Sequence, residues 1–447
     1  MLEDSKKQWE PKPLGAAWVA AVVNRFRSLH SDLSVFESQL RQRTGTRFTD
    51  WVDHLVVKDL KSIELAGFVK GLDGWYEHPG ALLPVVRQSD AEGVFLRVDS
   101  ASDFVIANCS QFDFELTGAP LDPFRLAKFL TTNTSVAFGV VQRHGCNVRH
   151  PNESLSESQI IQVQAIRERL RHRQRKFDSE VDAFQSTSAL IAEAISKVGR
   201  DMTCHLFFEG ERDYWQSRNR AGQIQYMRQH SIGVGWGNHD HHTYRSSRAC
   251  FSDLIGLLEL MGFECREKFH AGNEAGWGAQ VIEQPVCGIV IFADVDLDPD
   301  ELTNDFSHQP LPIRSELGTI GLWCALHGEA LFQAGMHHLE CQFDFDGART
   351  QLEAFGIQCM KPFTDFSFLR QCFTEGERWR VDPKRVERIL SEGRITREQA
   401  ERFLSEGAVG SHMEILERND GYRGFNQTGI NEIIRKTDPR FLSADTH

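Results

Sequence analysis

No stretch of this chain is apolar and long enough to span a bilayer, which excludes a helical membrane protein. The opening residues Met1 to Lys7 lack the apolar core of an export signal, so a cytoplasmic protein is expected. There is no Cys-x-x-Cys pair. The ten cysteines stand singly from Cys109 to Cys372, which excludes a zinc-ribbon pattern, and a reducing compartment disfavours disulfides. Most of them are expected to be buried as small hydrophobes. Positive charge is also short. A formal net charge of −13 argues against broad binding to nucleic acid or to an anionic membrane surface. The local basic run from Arg167 to Lys176 has Glu and Asp around it and reads as the solvated face of a helix.

The chain does have the length, 447 residues, to bury a large core, and its 40% hydrophobic and 25% charged content is that of an ordinary globular protein. Trp18, Val22, Phe26 and Leu29 recur at helical spacing, so residues 1 to about 43 are read as helical. Short apolar runs follow. Val52 to Val57, Leu82 to Val86, Val94 to Val98 and Phe104 to Ala107 are read as strands between Gly, Pro and Asp turns. The polar segment Arg143 to Glu157 marks a boundary, and Glu157 to Lys197 reads as a long helical region. Beyond Met202, Phe251 to Met261 forms an amphipathic helix stopped by Gly262. Val286 to Val295 is a buried strand, Ile320 to Leu326 and Met336 to Phe345 are further strand candidates, and Arg349 to Phe355 is a short helix.

Chemistry concentrates in Asn238-His239-Asp240-His241-His242-Thr243-Tyr244-Arg245. In a regular strand His239 and His241 face one side and His242 the other, so one can bind a metal while a neighbour supports it. Arg245 suits bidentate capture of a carboxylate. His337-His338 supplies a second pair of imidazoles, and strand parity does not choose between them. A carboxylate candidate stands in Met413-Glu414-Ile415-Leu416-Glu417-Arg418, where Glu414 and Glu417 compete. Two imidazoles and a carboxylate from separate segments form a mononuclear Fe(II) site with open positions for substrate and O2. Arg370, with Gln371 beside it, sits in an apolar run where its charge needs an anionic partner, either from the protein or from a substrate. The loop Gly421 to Gly429 can cover the site.

The strand and helix order beyond residue 201 resembles the βαβββ unit of the glyoxalase, or vicinal-oxygen-chelate, fold, whose paired units form a cupped sheet around a metal. The fold class expected is thus α+β with added helices. Asp53-His54 followed by Gly67-Phe68 echoes Asp240-His241 followed by Gly262-Phe263. The expected organisation is an N-terminal α+β domain over 1–150, a degenerate unit of the same type by that echo; a helical connection over 151–200; and a metal-binding glyoxalase-like domain over 201–447.

Five motifs in order over roughly residues 235–435 resemble the 2-oxoadipate dioxygenase/decarboxylase (hydroxyglutarate synthase) family. They are Asp240-His241-His242-Thr243-Tyr244-Arg245, Leu257-Leu258-Glu259-Leu260-Met261-Gly262, His337-His338-Leu339-Glu340, Phe368-Leu369-Arg370-Gln371-Cys372-Phe373, and Met413-Glu414-Ile415-Leu416-Glu417-Arg418. The chain departs from the family in having His337 for Asn, Glu340 for Thr and a shortened Arg-Gln motif, and its N-terminal half shows no match. The resemblance implies His241, His338 and Glu414 as ligands to Fe(II), with Arg245, Arg370 and Gln371 at the substrate. It implies O2-dependent decarboxylation of a 2-oxo acid, 2-oxoadipate-like, without a separate 2-oxoglutarate. The competing expectations are a metal-dependent isomerase, lyase or hydrolase on the same fold using Zn, Mn or Ni, and a non-catalytic metal- or ligand-binding protein.

Overall fold

The computed structural model of the chain describes residues 9–71, 73–131, 135–147, 154–272, 275–426 and 438–440. Two helices, α1 (Pro13–Leu29) and α2 (Ser31–Thr44), open it, broken at His30, whose backbone is extended. Then come β1 (Val52–Val57), β2 (Val69–Lys70), β3 (Trp75–Glu77), β4 (Val85–Gln88), β5 (Gly93–Arg97), α3 (Ala101–Asn108), β6 (Phe114–Thr117), β7 (Phe124–Phe129) and β8 (Ala137–Arg143). Four helices cross to the second half: α4 (Glu157–Arg171), α5 (Glu180–Val198), α6 (Arg200–Gln216) and α7 (Arg220–His230). The second half runs β9 (His239–Arg245), α8 (Phe251–Leu260), β10 (Glu264–His270), β11 (Trp277–Gln284), β12 (Ile289–Asp296), α9 (Thr319–His327), β13 (His338–Gln342) and α10 (Phe345–Ala354). It ends with β14 (Thr364–Phe366), β15 (Leu369–Phe373), β16 (Glu377–Trp379), α11 (Pro383–Ser391), α12 (Arg397–Glu406) and β17 (Ala408–Arg418).

The second-half sheet has the order β10-β11-β12-β9-β13-β17-β15-β14, with β16 paired to β17. The first strand of each unit lies parallel to its last, β9 beside β12 and β13 beside β17, and the two units meet where β9 runs antiparallel to β13. This is the paired βαβββ arrangement of the vicinal-oxygen-chelate fold. The first-half sheet repeats the strand pattern, with order β2-β3-β4-β1-β5-β8-β7-β6 and parallel pairs β1/β4 and β5/β8, but only turns join β1 to β2 where the other units have a helix. The N-terminal half therefore contains two four-stranded units, β1–β4 without a helix and β5–β8 with α3.

Two apolar runs read as strands are helices. Phe104 to Ala107 lies in α3, where the Ser100 side chain accepts the Asp103 N–H as an N-cap and Phe104 and Asn108, four apart, turn inward. Ile320 to Leu326 lies in α9, whose cap comes from outside the segment: the Asp296 carboxylate accepts the N–H groups of Gly318, Ile320 and Gly321. The other helix and strand expectations hold with shifted ends, residues 1–8 of the first helical stretch lying outside the described residues. The basic run after Arg167 is more committed than a solvated face. Arg167, Arg169 and Arg171 pair with Glu209, Glu193 and Asp213, while Arg173 and Arg175 are drawn inside to Glu211. Seven of the ten cysteines are buried, and none is disulfide-bonded. Among the described residues no helix is long and apolar enough to cross a membrane.

Candidate metal centre

The site forms at the seam of the two units. Glu340 pairs with His241 across the β9/β13 ladder, and Cys341 pairs with His239, so Asp240 is an extra residue, a β-bulge. A bulge breaks the alternation of side chains along a strand. His239 is therefore carried to the far face, with its ring 5.4 Å from that of His242, and does not share a face with His241 as regular parity predicted. The bulge also lets neighbours meet. The Asp240 carboxylate lies 2.8 Å from His241 Nδ1 and receives two hydrogen bonds from Arg418, at 2.8 and 2.9 Å. With Nδ1–H directed at Asp240, the Nε2 lone pair of His241 is left for a ligand.

His241, Thr243 and Arg245 of β9, His338 and Glu340 of β13, and Glu414 of β17 line one cavity of about 70 Å³. That is room for a few waters or one small organic acid. Ligand atoms of His241, Glu340 and Glu414 lie within 4.8 Å of one another. His338 Nδ1 is 3.4 Å and His241 Nε2 3.7 Å from Glu340 Oε1, which also accepts from Thr243 Oγ1 at 2.7 Å. Gln371 Nε2 donates to Glu414 Oε1 at 2.7 Å. All four candidate ligands are buried.

Burial dominates the electrostatics. It lowers His241 despite the opposing pull of Asp240, and lowers His338 well below the ordinary imidazole range, helped by His412 and Arg245. Both rings are thus neutral, the state that binds metal. Burial and the facing Glu414 push Glu340 well above the carboxylate range, and burial lifts Glu414 to about 8. Burial opposes ionisation of Asp240 too, but Arg418 and His241 outweigh it and hold that carboxyl far below its usual value. Two buried carboxylates paired across neighbouring strands are costly without a cation between them. Glu340 Oε2 and His338 Nε2 have no hydrogen-bond partner among the described residues. The donor set fits a divalent first-row metal.

His241, His338 and Glu414 all open into the cavity, with Arg245 and Gln371. Glu417 turns away and accepts from the Phe345 N–H. His337 anchors its Nδ1 to the Gly410 carbonyl, outside the cavity lining. Arg370 is the correction. One residue from Gln371 on β15, it points to the opposite side and pairs with Asp346 and Asp365, so its anionic partner is the protein. From the covering loop Phe425 and Asn426 line the cavity, while residues 427–429 lie outside the described residues. Glu340 is the residue that sequence reasoning missed as a site member. Its signal was available: it stands two positions after His338 on a strand and therefore on the same face.

The first-half sheet carries the same bracing without the ligands. Asp53 is skipped between the pairs Val52/Leu96 and His54/Phe95, as Asp240 is in β9. His54 Nδ1 lies 2.6 Å from Asp53, and Arg143 donates twice to it at 2.8 Å. Phe95 stands where Glu340 stands in the other sheet, and Gly139, its partner on β8, where Glu414 stands. The Phe95 ring stacks on His54 at 4.5 Å and fills the space.

No protein-family model matches the chain, and no curated protein matches it. Among solved structures it is similar to a triple mutant of 4-hydroxymandelate synthase from Streptomyces coelicolor, at 12% identity over 76% of this chain and 96% of that one, TM-score 0.30. It is also similar to methylmalonyl-CoA epimerase from Mycobacterium tuberculosis, at 14% identity over 41% and 89%, TM-score 0.24. A third is the protein YdcJ from Shigella flexneri, at 11% identity over 57% and 73%, TM-score 0.25.

Proposed function

We propose that the protein is a non-haem Fe(II) oxygenase that oxidatively decarboxylates a 2-oxo acid, as its resemblance to the 2-oxoadipate dioxygenase/decarboxylase family implies. One observation carries the reading. Neutral His241 and His338 and the carboxylate of Glu414 face one buried cavity, together with two unpartnered N–H groups of Arg245, Nε and Nη1. His241, His338 and Glu414 would hold the metal, and Glu340 is a second carboxylate on the same wall. A bound Fe(II) would activate O2 and polarise the 2-oxo acid, whose oxidation supplies the electrons.

The chain does the rest. Arg245 offers its fork to the substrate carboxylate and fixes its orientation. Gln371 holds Glu414, and Asp240 with Arg418 holds His241 in the tautomer that leaves Nε2 free. The aromatic wall excludes water from the reacting atoms. The reaction balances with one O2 per substrate. CO2 leaves, one oxygen atom ends in the carboxylate formed at the former keto carbon, and the other in a hydroxyl on the same product.

The test is anaerobically Fe(II)-loaded protein offered a panel of 2-oxo acids, with O2 uptake and CO2 release measured together. Equal consumption of O2 and release of CO2 supports the reading, and absence of both with every 2-oxo acid ends it. One observation favours a second reading, a metal-dependent isomerase or lyase: the Glu340 carboxyl lines the cavity 3.4 Å from His338 Nδ1, where it can exchange a proton with a bound substrate. Turnover that persists without O2 selects it.

A further inference from the structure

The apolar part of the cavity wall is aromatic throughout. Phe269, Trp277, Phe292, Phe363, Phe373 and Phe425 surround the polar end formed by the candidate ligands and Arg245. A dicarboxylic 2-oxo acid needs a second cation for its far carboxylate. Among the described residues Arg245 is the sole Lys or Arg of the lining. The other arginines nearby are committed elsewhere. Arg370 faces the opposite side of the sheet with Asp346 and Asp365. Arg418 is held twice by Asp240, and Arg266 donates to Glu267 at 2.6 Å. Both lie behind the Phe425 ring, over its face at 5.0 and 5.2 Å. Charge balance agrees. Asp294, Glu340, Glu414 and Arg245, with one divalent ion, have no net charge when all are ionised. One substrate carboxylate adds a single negative charge beside Arg245. A second would lie unpaired among aromatic rings, where burying a charge is expensive.

From this wall we infer that the substrate is a 2-oxo acid with one carboxylate and an uncharged, apolar tail, aryl or branched alkyl, and not a dicarboxylate. The inference rests on the oxygenase reading above and narrows it. Phe292 and Phe425, edge to face at 4.4 Å, and Phe269, 5.7 Å from Phe292, offer ring faces and edges to such a tail.

The experiment compares kcat/KM of the Fe(II)-loaded full chain for phenylpyruvate and 4-methyl-2-oxopentanoate with that for 2-oxoglutarate and 2-oxoadipate. At least a tenfold preference for the first pair is expected. Dicarboxylates turned over equally well or better overturn the inference and leave the oxygenase reading standing. No CO2 from any of the four overturns both. A second variant isolates the wall. Phe363 is half-buried, on the segment before β14, so Phe363→Arg places a cation at the cavity with little disturbance to the sheet. It should move the preference at least tenfold towards the dicarboxylates. Should that variant fail to fold, Phe363→Leu should lower kcat/KM for phenylpyruvate more than for 4-methyl-2-oxopentanoate. A preference unmoved by a folded variant means that the wall does not select the tail.

Discussion

Metal affinity should rise steeply with pH, and the slope should count the carboxylates that take part. In the metal-free site Glu414 titrates at about 8 and Glu340 is raised well above its ordinary range, both because burial disfavours their charge. His241 and His338 are already neutral and have no proton to give. Below pH 8 an entering ion must therefore displace the protons of the carboxylates it binds. Each displaced proton makes affinity about tenfold stronger per pH unit, equivalent to about 1.4 kcal/mol. With both carboxylates engaged, the dissociation constant should fall roughly a hundredfold from pH 6 to pH 7; with Glu414 alone, about tenfold. Chelator competition at fixed ionic strength measures this, and Glu340→Gln should reduce a slope of two protons to one. The stability of the metal-free protein moves the opposite way. A folded pKa raised above the unfolded one gives stability that is complete below about pH 4.5 and is lost as pH rises through about 8. An affinity flat between pH 6 and 8, or a slope set by histidine protonation, would refute the reasoning.

Other outcomes follow from the geometry. Arg245→Lys keeps the charge but loses the fork, and should cut kcat/KM for the 2-oxo acid about 10- to 100-fold while metal content, measured by elemental analysis, stays constant. Asp240→Asn releases Arg418 and the His241 tautomer together, and should weaken metal binding about 10- to 100-fold in the same chelator assay. Arg143→Ala leaves Asp53 buried without its guanidinium and should cost about 3–5 kcal/mol in thermal or denaturant unfolding, with metal affinity unchanged. Arg370→Ala removes a pairing on the far side of the sheet and should leave steady-state kinetics within about twofold of the parent, since such partly exposed pairs contribute little.

What the sequence disclosed depended on how local each cause was. The density of histidines around His241 and the repeated Asp-His and Gly-Phe pairs are local, and they located both the site strand and its counterpart in β1. The helix α9 was unreadable because the carboxylate that caps it, Asp296, lies on another strand and short apolar runs have no decisive period. The side of Arg370 was equally hidden, since one residue of register decides which face a strand residue takes. The bulge at Asp240 had the widest effect. It has no signature of its own in the residues, yet it sends His239 to the far face and brings Asp240 to His241. Glu340 was legible by parity, standing two residues after His338 on β13.

The brace of aspartate, histidine and arginine occurs twice, and in the first-half sheet it clasps a histidine with no carboxylate opposite and no open space beside it. A Cβ at Gly139 would lie 2.8 Å from the Ala127 carbonyl, so that position is closed to any longer side chain without backbone movement. The brace therefore persists where there is nothing for it to present. Its upkeep is assigned to folding rather than to ligand binding, and in the second half the imidazole is oriented before an ion arrives. Capture of the metal then calls for proton loss and little rearrangement, and a chain with two duplicated frames should titrate with one equivalent in its seam and not two.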